Sequence, residues 1–192
     1  PLKFQGEIRT LADDIPFFDP SQMPGDSRPV DGLLGFNLFQ DIPLTVDYPH
    51  RRLILESRHL PKPDGRDVLP MSLVDNVPCC TIRMAQKEIT VAIDTGNTWW
   101  LTLPEKTVRQ LALHKGETRC SFRGFGGQQT CSTARFTGTV HIGRHVLTEP
   151  FVTHLVGVPG RSLLGYHILR HFAVTLDVRQ RAVRFYRPSN TP

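Results

Sequence analysis

The chain has 192 residues, 39% hydrophobic and 21% charged, a globular composition with room for one large domain or two small ones. Its 16 prolines and 15 glycines favour turns and short strands over long helices. The net charge of +5 comes from scattered cations such as Arg51, Arg52, Arg179, Arg181 and Arg184, without the basic, aromatic-rich stripe that would make nucleic acid an expected partner, and no run approaches the roughly 20 apolar residues of a membrane span.

Residues 33–55 align with residues 163–185 without a gap. Leu33, Leu34, Gly35, Thr45, Asp47 and Arg51 recur as Leu163, Leu164, Gly165, Thr175, Asp177 and Arg181. Apolar positions recur as well: Phe36 with Tyr166, Ile42 with Phe172, Leu44 with Val174, Leu53 with Val183. Each copy reads as a short helix, a strand, a turn at Asp-x-x-x-Arg and a second strand. Upstream, Ile8 to Phe18 loosely matches Val146 to Leu155 as a strand ahead of the Leu-Leu-Gly turn.

Between the copies, Arg58 to Asn76 reads as a linker, Pro-rich around Pro61-Lys62-Pro63-Asp64-Gly65. Pro78 to Met84 reads as a strand, Ala85 to Glu88 as a turn, and Ile89 to Asp94 as a buried, β-branched strand ending in Asp94-Thr95-Gly96. Trp99 to Leu103 continues as a strand. Pro104 to Leu113 reads as a helix, with Pro at its first position and an apolar face of Val108, Leu111 and Ala112. Arg119 to Arg135 reads as a hairpin around Gly124-Phe125-Gly126-Gly127. The first copy lacks this whole stretch, and its equivalent of Asp94 would fall before Pro1. Residues 1–57 are therefore expected to be the C-terminal part of a first lobe, 58–76 a linker, 77–187 a complete second lobe and 188–192 a tail.

Cys79, Cys80, Cys120 and Cys131 lack zinc-finger spacing. Cys120 and Cys131 flank the glycines and would face each other across the base of a hairpin. A disulfide there and a pair of buried free thiols are both open readings. His167 and His171 have a spacing that can bind zinc, but the first copy has Asn37 and Asp41 at those positions, and no H-E-x-x-H frame occurs. No metal site is expected. Neither a G-x-S-x-G elbow nor a phosphate-loop Gly-Lys-Ser/Thr is present.

An Asp at a strand end, then a glycine-rich hairpin, then Leu163-Leu164-Gly165, resembles the retropepsin-like aspartic proteases. The internal duplication points to their two-lobed, bacterial-type form. The resemblance implies an all-β fold with short helices, built from closed, barrel-like lobes. It implies an aspartic endopeptidase that uses no cofactor and acts on peptide or protein substrates lying extended between the lobes. In that chemistry, water is held between two carboxylates about 3 Å apart, which share one proton and titrate as a pair. Asp94 would be one of them. Thr95 would bond the opposite lobe, and Gly96 would permit the tight turn. Asn97 stands where the family commonly has Ala or Ser, and is a polar side chain able to bond the outer carboxylate oxygen. Gly124, Phe125, Gly126 and Gly127 would form a flap over the substrate. Leu163, Leu164 and Gly165, with Leu33, Leu34 and Gly35 in the first lobe, would pack beneath the motif loops. The second Asp would come from a preceding segment in a two-lobed monomer, a route favoured over a homodimer of complete lobes. The 192-residue chain alone would then be inactive or nearly so. Family habit and a disulfide would suit a bacterial envelope. The alternative is a non-catalytic peptide-binding or scaffold module that keeps the fold without the chemistry.

Overall fold

The computed structural model describes residues 35–111, 118–124, 127–156 and 160–188. A 3-10 turn at Phe36–Phe39 leads into β1 (Leu44–Asp47) and β2 (Arg52–Leu55). Next come β3 (Val68–Val74), β4 (Val77–Met84), β5 (Lys87–Ile93), β6 (Leu101–Thr102) and helix α1 (Glu105–Gln110). The chain continues through β7 (Thr118–Gly124), β8 (Gly127–Arg135), β9 (Thr139–Ile142), β10 (His145–Thr148), β11 (Phe151–Leu155) and β12 (Leu163–Leu164). It ends in helix α2 (Tyr166–Leu169), β13 (Ala173–Asp177) and β14 (Ala182–Tyr186). The fold is all-β with short helices. Among the described residues, no helix is long and apolar enough to cross a membrane.

The strands pair in the order β2-β1-β13-β14-β3-β4-β5-β12-β6-β11-β8-β7, with the β9–β10 hairpin attached to β4. In β4 the pleat sends Cys80, Ile82 and Met84 inward, while Thr81 and Arg83 face out. Ala85 and Gln86 turn that strand into β5 with φ of 47° and 62°, the left-handed pair that suits a two-residue hairpin. Val91, Ala92 and Ile93 are buried in succession, as expected of a strand covered on both faces, and its two edges pair with β4 and β12. The main core gathers Ile82, Met84, Val91, Leu101, Leu164, Ile168 and Phe172.

Two elements differ from expectation. The presumed linker contains β3, because the Pro-rich run stops at a turn made by Asp64, whose Oδ1 accepts the N–H groups of Arg66, Asp67 and Val68. Pro70 sits where β3 changes partner: Val68 to Pro70 pair with β14, and Met71 to Val74 with β4. The strand expected at Trp99–Leu103 shrinks to Leu101–Thr102, because the Trp99 and Trp100 carbonyls accept N–H groups from the start of α2. Helix α1 closes at Leu111, and Ala112 and Leu113 lie outside the described residues.

Strand β1 lies antiparallel to β13 in a register centred on one pair of aligned positions. Thr45 pairs with Thr175, and their hydroxyls, 130 positions apart, are 2.7 Å from each other. The following turns also correspond. Asp47 Oδ1 accepts the His50 N–H and Asp177 Oδ1 the Gln180 N–H, while Arg51 and Arg181 share left-handed φ values of 55° and 48°.

Candidate active site

Asp94 follows β5 directly. Ala92 and Ile93 run parallel to Leu163 and Leu164, and the Asp94 N–H donates to the Leu164 carbonyl at 3.1 Å. The Asp94 side chain then folds back on its own loop. Its Oδ1 accepts the N–H of Gly96 at 2.9 Å and of Asn97 at 3.1 Å, an Asx-type turn. Among the described residues Oδ2 has no hydrogen-bond partner. The local geometry thus fixes the carboxylate by one oxygen and leaves the other available.

Asn97 supports the loop differently from expectation. Its backbone N–H, not its side chain, reaches the carboxylate. The side-chain amide donates to Thr102 Oγ1 at 2.9 Å, and its oxygen accepts the Trp99 N–H at 3.1 Å. The Asp94 loop is therefore tied to β6.

Beneath the loop lies Gly165. A Cβ there would come 2.2 Å from the Trp99 carbonyl oxygen and 2.9 Å from that of Asn97. The N–H groups of Gly165, Tyr166 and His167 donate to the Trp100, Asn97 and Trp99 carbonyls. The start of α2 thus finds partners for N–H groups that a helix leaves unpaired. Leu164 is buried completely and Leu163 half-buried. In the first copy, Leu33 and Leu34 lie outside the described residues, and among the described residues a Cβ on Gly35 would meet only the side chain of Asn37.

A cleft of about 980 Å³ opens in front of Asp94. Asp94, Thr95 and Tyr166 line one side, and Phe36, Phe39 and Tyr48 of the first copy line another. Asp94 is the single carboxylate among its described lining residues.

Tyr48 escapes sequence reasoning. Its ring meets Tyr166 edge-on with centroids 5.8 Å apart, and its hydroxyl is buried without a partner among the described residues. Burial, then the nearby Tyr166 and Asp94, push the phenol up to about 12. One signal was available: Tyr48 aligns with Val178, an aromatic-for-aliphatic exchange just after the shared Asp.

The glycine-rich hairpin closes at the pair Gly124 and Gly127. Phe125 and Gly126 lie outside the described residues. Cys120 and Cys131 face each other in the β7–β8 ladder and are joined by a disulfide. Cys79 and Cys80 are free and buried, and burial, then the neighbouring Cys79, pushes the Cys80 thiol up to about 12. His167 stacks on Trp100 with ring centroids 5.9 Å apart.

No family model matches the chain, and no curated protein matches it. Among solved structures, it is similar to a retropepsin-like aspartic protease from Rickettsia conorii, at 16% identity and a TM-score of 0.47, over 62% of this chain and 87% of that one.

Proposed function

We propose that the chain belongs to an aspartic endopeptidase in which Asp94 supplies one of two catalytic carboxylates. The observation that carries this reading is the Asp94 carboxylate itself. One of its oxygens is held by two backbone N–H groups, the other has no partner among the described residues, and the side chain lines a cleft large enough for a peptide. An ionised Asp94 would take a proton from water through the available oxygen, while a protonated partner would hydrogen-bond the scissile carbonyl. Thr95 and Gly96 shape the loop that aims the carboxylate. Gly124, Phe125, Gly126 and Gly127 serve as the flap.

The partner carboxylate comes from outside the described residues, from chain preceding the first copy or from a second molecule. The paired Thr45 and Thr175 support descent of the two units by duplication, and with it a two-lobed arrangement in preference to a homodimer. Residues 1–57 then belong to the first lobe and 77–187 to the second, with β3 joining them. A second reading, a peptide-binding module without catalysis, draws on the lone carboxylate among the described cleft residues.

The deciding experiment incubates a mixed peptide library, from pH 3 to 7, with the chain alone and with the chain extended at its N-terminus by its native sequence. Asp94→Asn is run beside each. Cleavage by the extended protein that disappears with Asp94→Asn supports the enzyme. A folded extended protein that binds peptides and cleaves none at any pH supports the binding module.

A further inference from the structure

A second cleft, of about 920 Å³, lies beyond the far end of α2. Its walls include Trp100, Val146 and Thr148 of the β10 region, Arg170, His171 and Arg187, and no Asp or Glu is among its described lining residues. The guanidinium of Arg187 lies over the Phe172 ring at 5.0 Å, and that of Arg170 lies over Tyr166 at 6.0 Å. Such stacking orients a guanidinium without consuming its N–H donors. Neither arginine pairs with a carboxylate among the described residues. The acids close to its wall are engaged: Glu149, next in sequence to Thr148, with Arg135 at 3.6 Å, and Asp67, which acts on His145, with Arg144 at 2.8 Å. The local field is positive. Burial, then Arg170, Arg187 and His167, hold His171 below its ordinary range.

The cleft also borders a sheet edge that is open among the described residues. Strand β10 pairs with β9 alone among the described strands, and Val146, Leu147 and Thr148 in succession form part of the wall. Val146 is 47% exposed. An open strand edge offers backbone donors and acceptors to an extended chain, whose alternate side chains then share one face.

We propose that this cleft docks an extended acidic peptide, which adds a strand to β10 and presents its carboxylates to Arg170 and Arg187. The charge decides the occupant's sign, and the open edge decides that it is a peptide. The site is separate from the Asp94 cleft, although α2 joins the two: Tyr166 lines one and Arg170 the other. A protein substrate bound at Asp94 could carry its acidic segment here.

The test uses the full chain carrying Asp94→Asn, so that it reads binding whether or not the protein is a protease. A fluorescent peptide of alternating Glu and Val is titrated by anisotropy, against the same peptide with Gln for Glu and against one with alternate backbone nitrogens methylated. The Glu peptide is expected to bind about tenfold more tightly than the Gln peptide, and each of Arg170→Gln and Arg187→Gln to cost about threefold, as for partly exposed ion pairs. Raised salt should weaken binding. Backbone methylation should abolish it, and that result does not depend on how any variant folds. Equal binding of the Glu and Gln peptides overturns the proposal, as does unchanged affinity in both arginine variants. Full binding of the methylated peptide, or tighter binding of a single-stranded oligonucleotide, also overturns it.

Discussion

Gly165 shows how little space separates the Asp94 loop from the chain beneath it. A methyl group there would press into the Trp99 carbonyl, which is fixed by its own bond from His167, so the backbone must move. Gly165→Ala is expected to cost about 3 kcal/mol, the upper range of overpacking penalties. The aligned Gly35→Ala should cost well under 1 kcal/mol, roughly a neutral surface change, because among the described residues its Cβ meets only the exposed Asn37 side chain. Urea denaturation of the two variants checks the contrast, and equal losses would refute it. The importance of Gly165 was legible in Leu163-Leu164-Gly165, since local sequence carries both the strand and the close approach. Tyr48 was not, because its place beside Asp94 depends on a pairing between distant strands. Its phenol should titrate near 12 in an ultraviolet pH titration, and the late component should vanish in Tyr48→Phe. The sign follows directly. A phenol raised in the folded state adds stability below the ordinary value near 10, and that stability is lost as pH rises through the folded value. Asp94→Asn should move the late component downward, since the Asp94 charge contributes to the shift.

Among the elements, β1 and β13 form the strand pairing between the two repeated segments. Thr45 is 3% exposed and Thr175 1%, so their mutual hydrogen bond is shielded from water. Thr45 also donates to Glu56, and Arg184 donates to Thr175. Replacing either threonine with valine leaves a buried hydroxyl opposite a methyl group, at a cost of about 1–2 kcal/mol. The double variant should cost less than the sum of the singles, with a coupling of about 1 kcal/mol in a double-mutant cycle. Simple additivity would mean that the hydroxyl pair contributes nothing. Sequence alignment identified these threonines as equivalent, yet nothing in it said that equivalents would meet. That requires the two strands to run antiparallel about a local two-fold relation. β3 was hidden for a related reason. Its Pro70 suggests a break, and only the change of partner from β14 to β4 at that residue makes a strand tolerable there. By contrast, β4 and β5 were legible because alternation and a β-branched run specify a hairpin locally.

Across the whole molecule the cations are scattered, and the cleft at Arg170 and Arg187 is one place where they act together. His145 and His171 both lie near Arg187. Burial, then Arg144 and Arg187, hold His145 below its ordinary value of 6.5, against the raising effects of the Phe185 carbonyl and Asp67. Burial, then Arg170, Arg187 and His167, do the same for His171. Because both are lowered, the unfolded chain binds protons at these sites before the folded chain does. Their contribution to stability is therefore present above about pH 6.5 and is lost as pH falls through the folded values. Asp47 acts lower on the scale. Burial alone would raise its carboxyl, but bonds from Arg52 and His50 outweigh it and hold it below the ordinary carboxylate value. Its contribution is lost only as pH falls further through that range. Unfolding free energies measured from pH 8 to 3 should show two successive losses. Arg187→Gln should soften the first by relieving repulsion on both histidines, and leave the second unchanged because Asp47 has its own partners. An acidic peptide in the second cleft should soften the first loss in the same way, by neutralising Arg187 from outside. A wild-type profile flat between pH 7 and 5 would show that the histidines do not sense this charge, whereas softening by Arg187→Gln but not by the peptide would locate the charge correctly and leave the cleft without its ligand.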